Sequence, residues 1–161
     1  MISDKSRFST AVNDLIETER TEMGRVTIAV EILNNFDVGK AAEGEIDEAA
    51  VRRLDVADAL IDTGATSLCL PASLIRTLGL RPIRQNQAMT AAGPRMMTIY
   101  SDVLIKIFDR EAVVRVVELP EGSPVLIGQI PLEMLDFVVD LRGRKLIGNP
   151  AHNGEHMFEL Y

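Results

Sequence analysis

An acid, a hydroxyl residue and a glycine in that order, Asp62-Thr63-Gly64, close the apolar run Ala59-Leu60-Ile61. A carboxylate at the end of an apolar strand is expected at the edge of a dry region, where burial disfavours the charged form and raises the carboxyl pKa. Gly64 lacks a Cβ and lets another backbone come close. Thr63 offers a hydroxyl that can brace the loop against a neighbour. One carboxyl alone cannot hydrolyse an amide without a metal. Two carboxyls a few ångströms apart cannot both ionise readily, so they share a proton. The unprotonated one then activates a water while the protonated one donates to the carbonyl oxygen, and the pair titrates in two coupled steps. The chain holds no second Asp-Thr-Gly or Asp-Ser-Gly. A dyad would therefore draw its second Asp62 from another copy, across the two-fold axis of an isologous homodimer.

The elements that must position this tripeptide are mostly strands. Val26, Ile28, Val30 and Ile32 alternate with more polar residues after Gly24, which predicts a half-buried strand. Strand patterns recur at 51–61, 66–70, 82–90, 96–108 and 112–119, with turns expected at Ala91–Arg95 and Asp109–Glu111. Pro71 and Gly79 bracket a short helix over Ala72–Leu78. Val125–Ile127 reads as a short buried strand, Ile130–Leu135 as a helical turn or two, and Phe137–Asp140 and Lys145–Ile147 as strands flanking an Arg142-Gly143 turn. The acid-rich stretch Asn34–Glu48 reads as an exposed loop or hairpin tip. Phe8, Ala11, Val12, Leu15 and Ile16 recur at helical spacing, predicting an amphipathic helix over 6–21 that either packs on the domain or serves as a regulatory arm. The organisation expected is a helical arm over 1–23, a mainly β domain over 24–150, and a tail over 151–161.

Composition narrows the function. The chain has 161 residues, 47% of them apolar and 25% charged, enough for one domain with a real core. Net charge is −7; the first 60 residues carry 7 basic and 13 acidic side chains, so −6 of it lies there. An acidic surface argues against nucleic acid as a partner. No apolar run approaches membrane-spanning length, and no basic stretch followed by an apolar segment opens the chain, so no membrane association is expected. The lone Cys69 excludes an internal disulfide framework and suits a reducing, cytoplasmic compartment.

The context of Asp62-Thr63-Gly64 carries a family resemblance. Leu126-Ile127-Gly128 follows about 60 residues later, two apolar residues and a glycine leading into a short helix. The run Val125-Leu126-Ile127-Gly128-Gln129-Ile130-Pro131-Leu132-Glu133, then Val138-Val139-Asp140 and Asn149-Pro150, resembles the C-terminal signature of single-lobe, retropepsin-like (clan AA) aspartic proteases of the bacterial and archaeal type. The resemblance spans about residues 24–150. It implies a closed β-barrel of the acid protease fold, homodimeric, with a short helix after the apolar-apolar-Gly segment, acting on a protein or peptide without metal or cofactor. By the same resemblance Asp62 is the catalytic carboxylate, Thr63 bonds across the dimer axis, and Gly64 admits substrate backbone. Ala65, Thr66, Ala92, Gly93 and Gly128 would line the substrate. Thr90–Arg95 sits where such enzymes carry a flap, a hairpin that closes over the cleft; the plainer reading is a routine surface hairpin. The alternative function is an inactive module of the same fold that binds peptides or dimerises.

Two departures from the retroviral pattern stand out. Where retroviral enzymes carry acids after Asp-Thr-Gly-Ala and an arginine after the triplet, this chain has Thr66, Ser67 and Gln129. An ion pair is thereby replaced by neutral hydrogen-bonding groups, so no charge is left buried and unpaired. Ala65 also lacks a hydroxyl to stabilise an ionised Asp62, which predicts activity at less extreme acidity than a stomach protease. His152 and His156 stand four apart but flank Asn153-Gly154 in a polar tail with no third ligand, so no metal site is assigned. Cys69 is expected as a small buried hydrophobe. The tail 157–160 is a candidate terminal strand at a dimer interface.

Overall fold

A computed structural model describes residues 24–157. The 6–21 helix and all but Met157 of the proposed tail strand lie outside the described residues. The chain runs β1 (Val26–Asn34), α1 (Asn35–Ala42), a 3-10 turn at Glu48–Ala50, β2 (Arg53–Ile61), β3 (Leu68–Pro71) and α2 (Ala72–Thr77). There follow β4 (Pro82–Thr90), β5 (Gly93–Ile107), β6 (Arg110–Leu119), β7 (Leu126–Ile127), α3 (Gln129–Met134), β8 (Phe137–Asp140) and β9 (Lys145–Gly148). The fold is mainly β, as the alternation predicts.

Seven strands form one sheet in the order β1-β2-β7-β3-β6-β5-β4, and β1 also pairs with β5, so the sheet curls round until its first strand meets β5. Its inner face is apolar: Ile32, Leu68, Leu70, Val103, Ile105, Ile107, Val116 and Ile127 have no exposed surface. Leu78 from the end of α2 and Leu132 and Leu135 from α3 and its end cover the same core. Burying each such side chain contributes roughly 1.5–3 kcal/mol. β8 and β9 form a separate antiparallel hairpin.

One connection matters most. β7 lies between β2, to which it runs parallel, and β3, to which it runs antiparallel. The segment joining β2 to β3, residues 62–67, therefore has to arch over the end of β7. That arch holds Asp62-Thr63-Gly64.

The structure corrects several local expectations. In the stretch Asn34–Glu48, Asn35–Ala42 is a helix and only residues 43–47 form the mostly exposed turn expected throughout. Asn34 caps α1 through its side-chain oxygen, which accepts from the amides of Phe36 (3.0 Å) and Asp37 (3.2 Å), while its Nδ2 donates to Leu78 O (2.8 Å). Asp37, in the first turn, is buried and accepts from Arg52 N, Nε and Nη2 at 3.1, 2.7 and 2.8 Å. A charged residue thus forms the inward face of this helix, which an apolar-periodicity reading passes over. The β4–β5 turn is shorter than predicted, because pairing continues to Thr90 and Gly93 and leaves Ala91-Ala92 as the tip. The β5–β6 turn likewise shifts to Phe108-Asp109, Phe108 adopting φ 53° with its ring edge-on to Phe137. The tail carries a 3-10 turn at Pro150–His152, capped by the Asn149 side chain accepting from Ala151 N at 3.0 Å.

Candidate active site

The Asp62 loop is fastened from below by the chain that follows β7. Asp62 N donates to Ile127 O (3.0 Å), Gly128 N to Ser67 O (3.1 Å), Gln129 N to Ala65 O (2.9 Å) and Ile130 N to Thr66 O (2.9 Å). The loop's carbonyls thereby take up the amides at the start of α3, which have no partner inside the helix. Gly128 is buried at the centre of this contact. A Cβ there would lie 2.6 Å from both Ala65 O and Ser67 O and 2.7 Å from Ser67 N, all backbone atoms. The apolar-apolar-Gly signature is, in this molecule, the seat of the acid-bearing loop.

On the outer side the loop is open. Asp62 is half-buried, Thr63, Gly64 and Thr66 are exposed, and Ala65 is half-buried. Asp62 Oδ1 accepts from Gly64 N at 2.9 Å, and the Asp62 carbonyl accepts from Ala65 N at 3.0 Å. A Cβ at Gly64 would stand 3.1 Å from Asp62 Oδ1, so the glycine lets the loop fold back on its own carboxylate. The dry surround expected of the strand end is not complete within one chain: apolar strand lies beneath the carboxylate and solvent above it. Neither the second Asp62 oxygen nor the Thr63 hydroxyl makes a hydrogen bond among the described residues.

Ala92 and Gly93 lie elsewhere, Ala92 in the tip of the β4–β5 hairpin and Gly93 as the first residue of β5 beside it. Gly93 has φ +105°, a conformation that favours glycine, and open space around it, so its backbone freedom and not its size is what the turn uses. Thr90 closes the turn, its Oγ1 donating to Gly93 O (2.7 Å) and accepting from Ala92 N (3.3 Å). Between this hairpin and the end of β6 is a cavity of about 560 Å³, with Thr90, Ala92, Met96 and Met97 on one wall and Glu118, Leu119, Pro120 and Glu121 on the other. Ala92 lines it; Asp62, Gly93 and Gly128 do not. Sequence reasoning passed over Glu118 and Glu121, which no spacing ties to Asp62.

The departures from the retroviral pattern resolve differently from expectation. Gln129 does not meet Thr66 or Ser67 through its side chain; Gln129 Nε2 donates to Glu133 Oε1 (2.8 Å), one turn along α3. Backbone groups of Thr66 and Ser67 make the contact instead. Cys69 is buried beneath the loop, and burial, followed by the nearby Asp62 charge, pushes its thiol up to about 11. His152 Nδ1 lies 2.6 Å from Asp136 Oδ2 and His156 Nε2 3.2 Å from Met134 O, so each ring faces a partner at the end of α3.

A family described as Aspartyl protease matches residues 42–130, a span that holds both the Asp62 loop and the Gly128 seat. The chain belongs to that family. Among solved structures, the solution structure of simian foamy virus (mac) protease is similar at a TM-score of 0.42 and 21% identity, over 68% of this chain and 93% of that one. No curated protein matches the chain in sequence. Among the described residues, no helix is long and apolar enough to cross a membrane.

Proposed function

We propose that this chain is an aspartic endopeptidase that works as a homodimer, each copy supplying one Asp62 to a shared dyad. The observation that carries the reading is the state of the Asp62 loop. It is seated from below by backbone hydrogen bonds, yet exposed above, with one carboxylate oxygen and the Thr63 hydroxyl uncommitted among the described residues. A single Asp-Thr-Gly in the full sequence leaves a second copy as the source of the second acid. Residues 24–150 would form the protease domain, and the lone cysteine supports a reducing, cytoplasmic setting.

In this mechanism the ionised Asp62 takes a proton from a water lying between the two carboxyls. The water oxygen attacks the scissile carbonyl carbon as the protonated Asp62 gives its proton to the carbonyl oxygen. The resulting tetrahedral species collapses with transfer of a proton to the amide nitrogen, breaking the C–N bond and releasing an acid and an amine. Thr63 hydroxyls would bond across the axis, Gly64 would admit substrate backbone, and Ala65 and Thr66 would flank it. The β4–β5 hairpin, with Ala92 in its tip and Gly93 beside it, would act as the flap, excluding water as it closes. Gly128 acts from beneath by fixing the loop.

The reading is tested with a fluorogenic peptide library assayed from acid to neutral pH, alongside a size measurement. Wild type is expected to cleave as a dimer, and Asp62→Asn to dimerise without cleaving. A folded dimer that cleaves nothing would replace this reading with that of a peptide-binding module.

A further inference from the structure

We infer that Glu118 sets a preference for substrates carrying a lysine or arginine side chain, the cavity between the β4–β5 hairpin and the end of β6 being the pocket that receives it. The inference rests on the protease reading and deepens it.

The cavity wall is mostly apolar, supplied by Met96, Met97, Leu119 and Pro120, yet carboxylates interrupt it. The two acids are committed differently. Glu121 Oε1 accepts from Ser73 N at 2.6 Å, and that bond, with Arg76 nearby, holds its carboxyl below the usual range. Glu121 is therefore tied to the start of α2. Glu118 accepts only from the Tyr100 hydroxyl, at 3.3 Å, a neutral donor that leaves the charge in place. It forms no ion pair among the described residues, and half-buried beside apolar wall it has less water to screen it than a fully exposed acid. Arg95 also lines the cavity, from the hairpin side, and pairs with neither acid.

An apolar wall with one uncompensated carboxylate suits a side chain with an aliphatic stem and a cationic head. Lysine and arginine lay such stems along apolar surface while keeping the charge at a polar end. A purely apolar side chain would bury against the methionines but leave Glu118 desolvated with no cationic partner, only the neutral Tyr100 hydroxyl, an unfavourable outcome that discriminates against it. Arg95 lowers the negative potential of the site, so its loss should sharpen the preference.

The test is a positional scan of matched peptides in which one residue at a time is lysine or its uncharged analogue norleucine. At the position that this cavity receives, wild type is expected to show kcat/KM about tenfold higher for lysine, the scale of a charge-assisted hydrogen bond in a half-buried site. Glu118→Gln, which keeps the shape and can still accept from Tyr100, should bring the ratio to about one. Tyr100→Phe removes the hydrogen bond but not the charge and should retain the preference, and Arg95→Gln should increase it. A lysine preference that survives in Glu118→Gln, or its absence at every position in wild type, overturns the inference while leaving the protease reading intact. Failure of wild type to cleave any peptide removes both.

Discussion

Gly128 lies directly against Ser67: its amide donates to the Ser67 carbonyl at 3.1 Å, and a side chain on it would meet that same oxygen at 2.6 Å. The residue closing the apolar-apolar-Gly segment is thus a spacer whose missing Cβ allows two backbones to touch. Neither can retreat cheaply, since Ser67 leads into the fully buried strand β3 and Gly128 into α3.

Gly128→Ala should therefore displace the Asp62 loop. We expect a stability loss of about 3 kcal/mol, the upper range for overpacking a rigid site, with cleavage lost before the fold. Denaturant unfolding and peptidase assays on the same samples check both. Gly93→Ala makes the contrasting case, since open space surrounds that position; only its φ is strained, and the effect should be confined to the hairpin.

Asp37 and Arg52 join α1 to the start of β2. The Arg52 side-chain hydrogen bond, first among the causes, holds the Asp37 carboxyl below its ordinary value. Asp37→Ala removes a buried acceptor of three hydrogen bonds, while Arg52, about half exposed, can turn to water. The expected loss is about 2 kcal/mol, at the lower end for charged hydrogen bonds because of that exposure. Thermal unfolding of the variant measures it, and peptidase activity below the transition should be retained.

Asp136 ties the tail to the end of α3. Its carboxylate accepts from Asn149 Nδ2 (2.9 Å) and Met157 N (3.1 Å) and faces His152 Nδ1, while Arg110 donates to the carbonyls of Leu135, Asp136 and Gly154. The His152 contact, then Asn149 and Met157, hold the Asp136 carboxyl at about 2, below its ordinary 3.8. A depressed carboxyl contributes stability that is fully present above pH 3.8 and lost as pH falls through about 2. Asp136→Asn tolerates the φ of 54° and removes the charge. Melting temperature followed from pH 5 to pH 2 should fall less steeply in the variant than in wild type.

The strand framework was legible where burial alternates residue by residue, most clearly in β6 from Arg110 to Val116, and β4 and β8 fall at their predicted bounds. The short helix after Gly128 was legible too, from two apolar residues and a glycine leading into it. Helix α1 was not, although Asn34 and Asp37 stand at cap and first-turn positions; its buried face is an acid whose partner, Arg52, follows 15 residues later. Long-range polar ties of this kind leave no periodicity. The same holds for Arg110 reaching Gly154 across 44 residues and for Glu118 facing the hairpin. At the site, Asp62, Thr63 and Gly64 announced themselves, whereas the seating role of Gly128 depends on β7 threading between β2 and β3, a topological fact that no local pattern encodes.

The central claim, two Asp62 carboxyls from two copies acting as one catalyst, is tested most directly by subunit mixing. Wild type and Asp62→Asn are combined in denaturant at varied ratios and refolded together at constant total protein. If one acid from each copy is needed, only wild-type pairs cleave, and activity follows the square of the wild-type fraction. Activity that falls in simple proportion to that fraction would mean each chain works by itself, and would contradict the shared dyad.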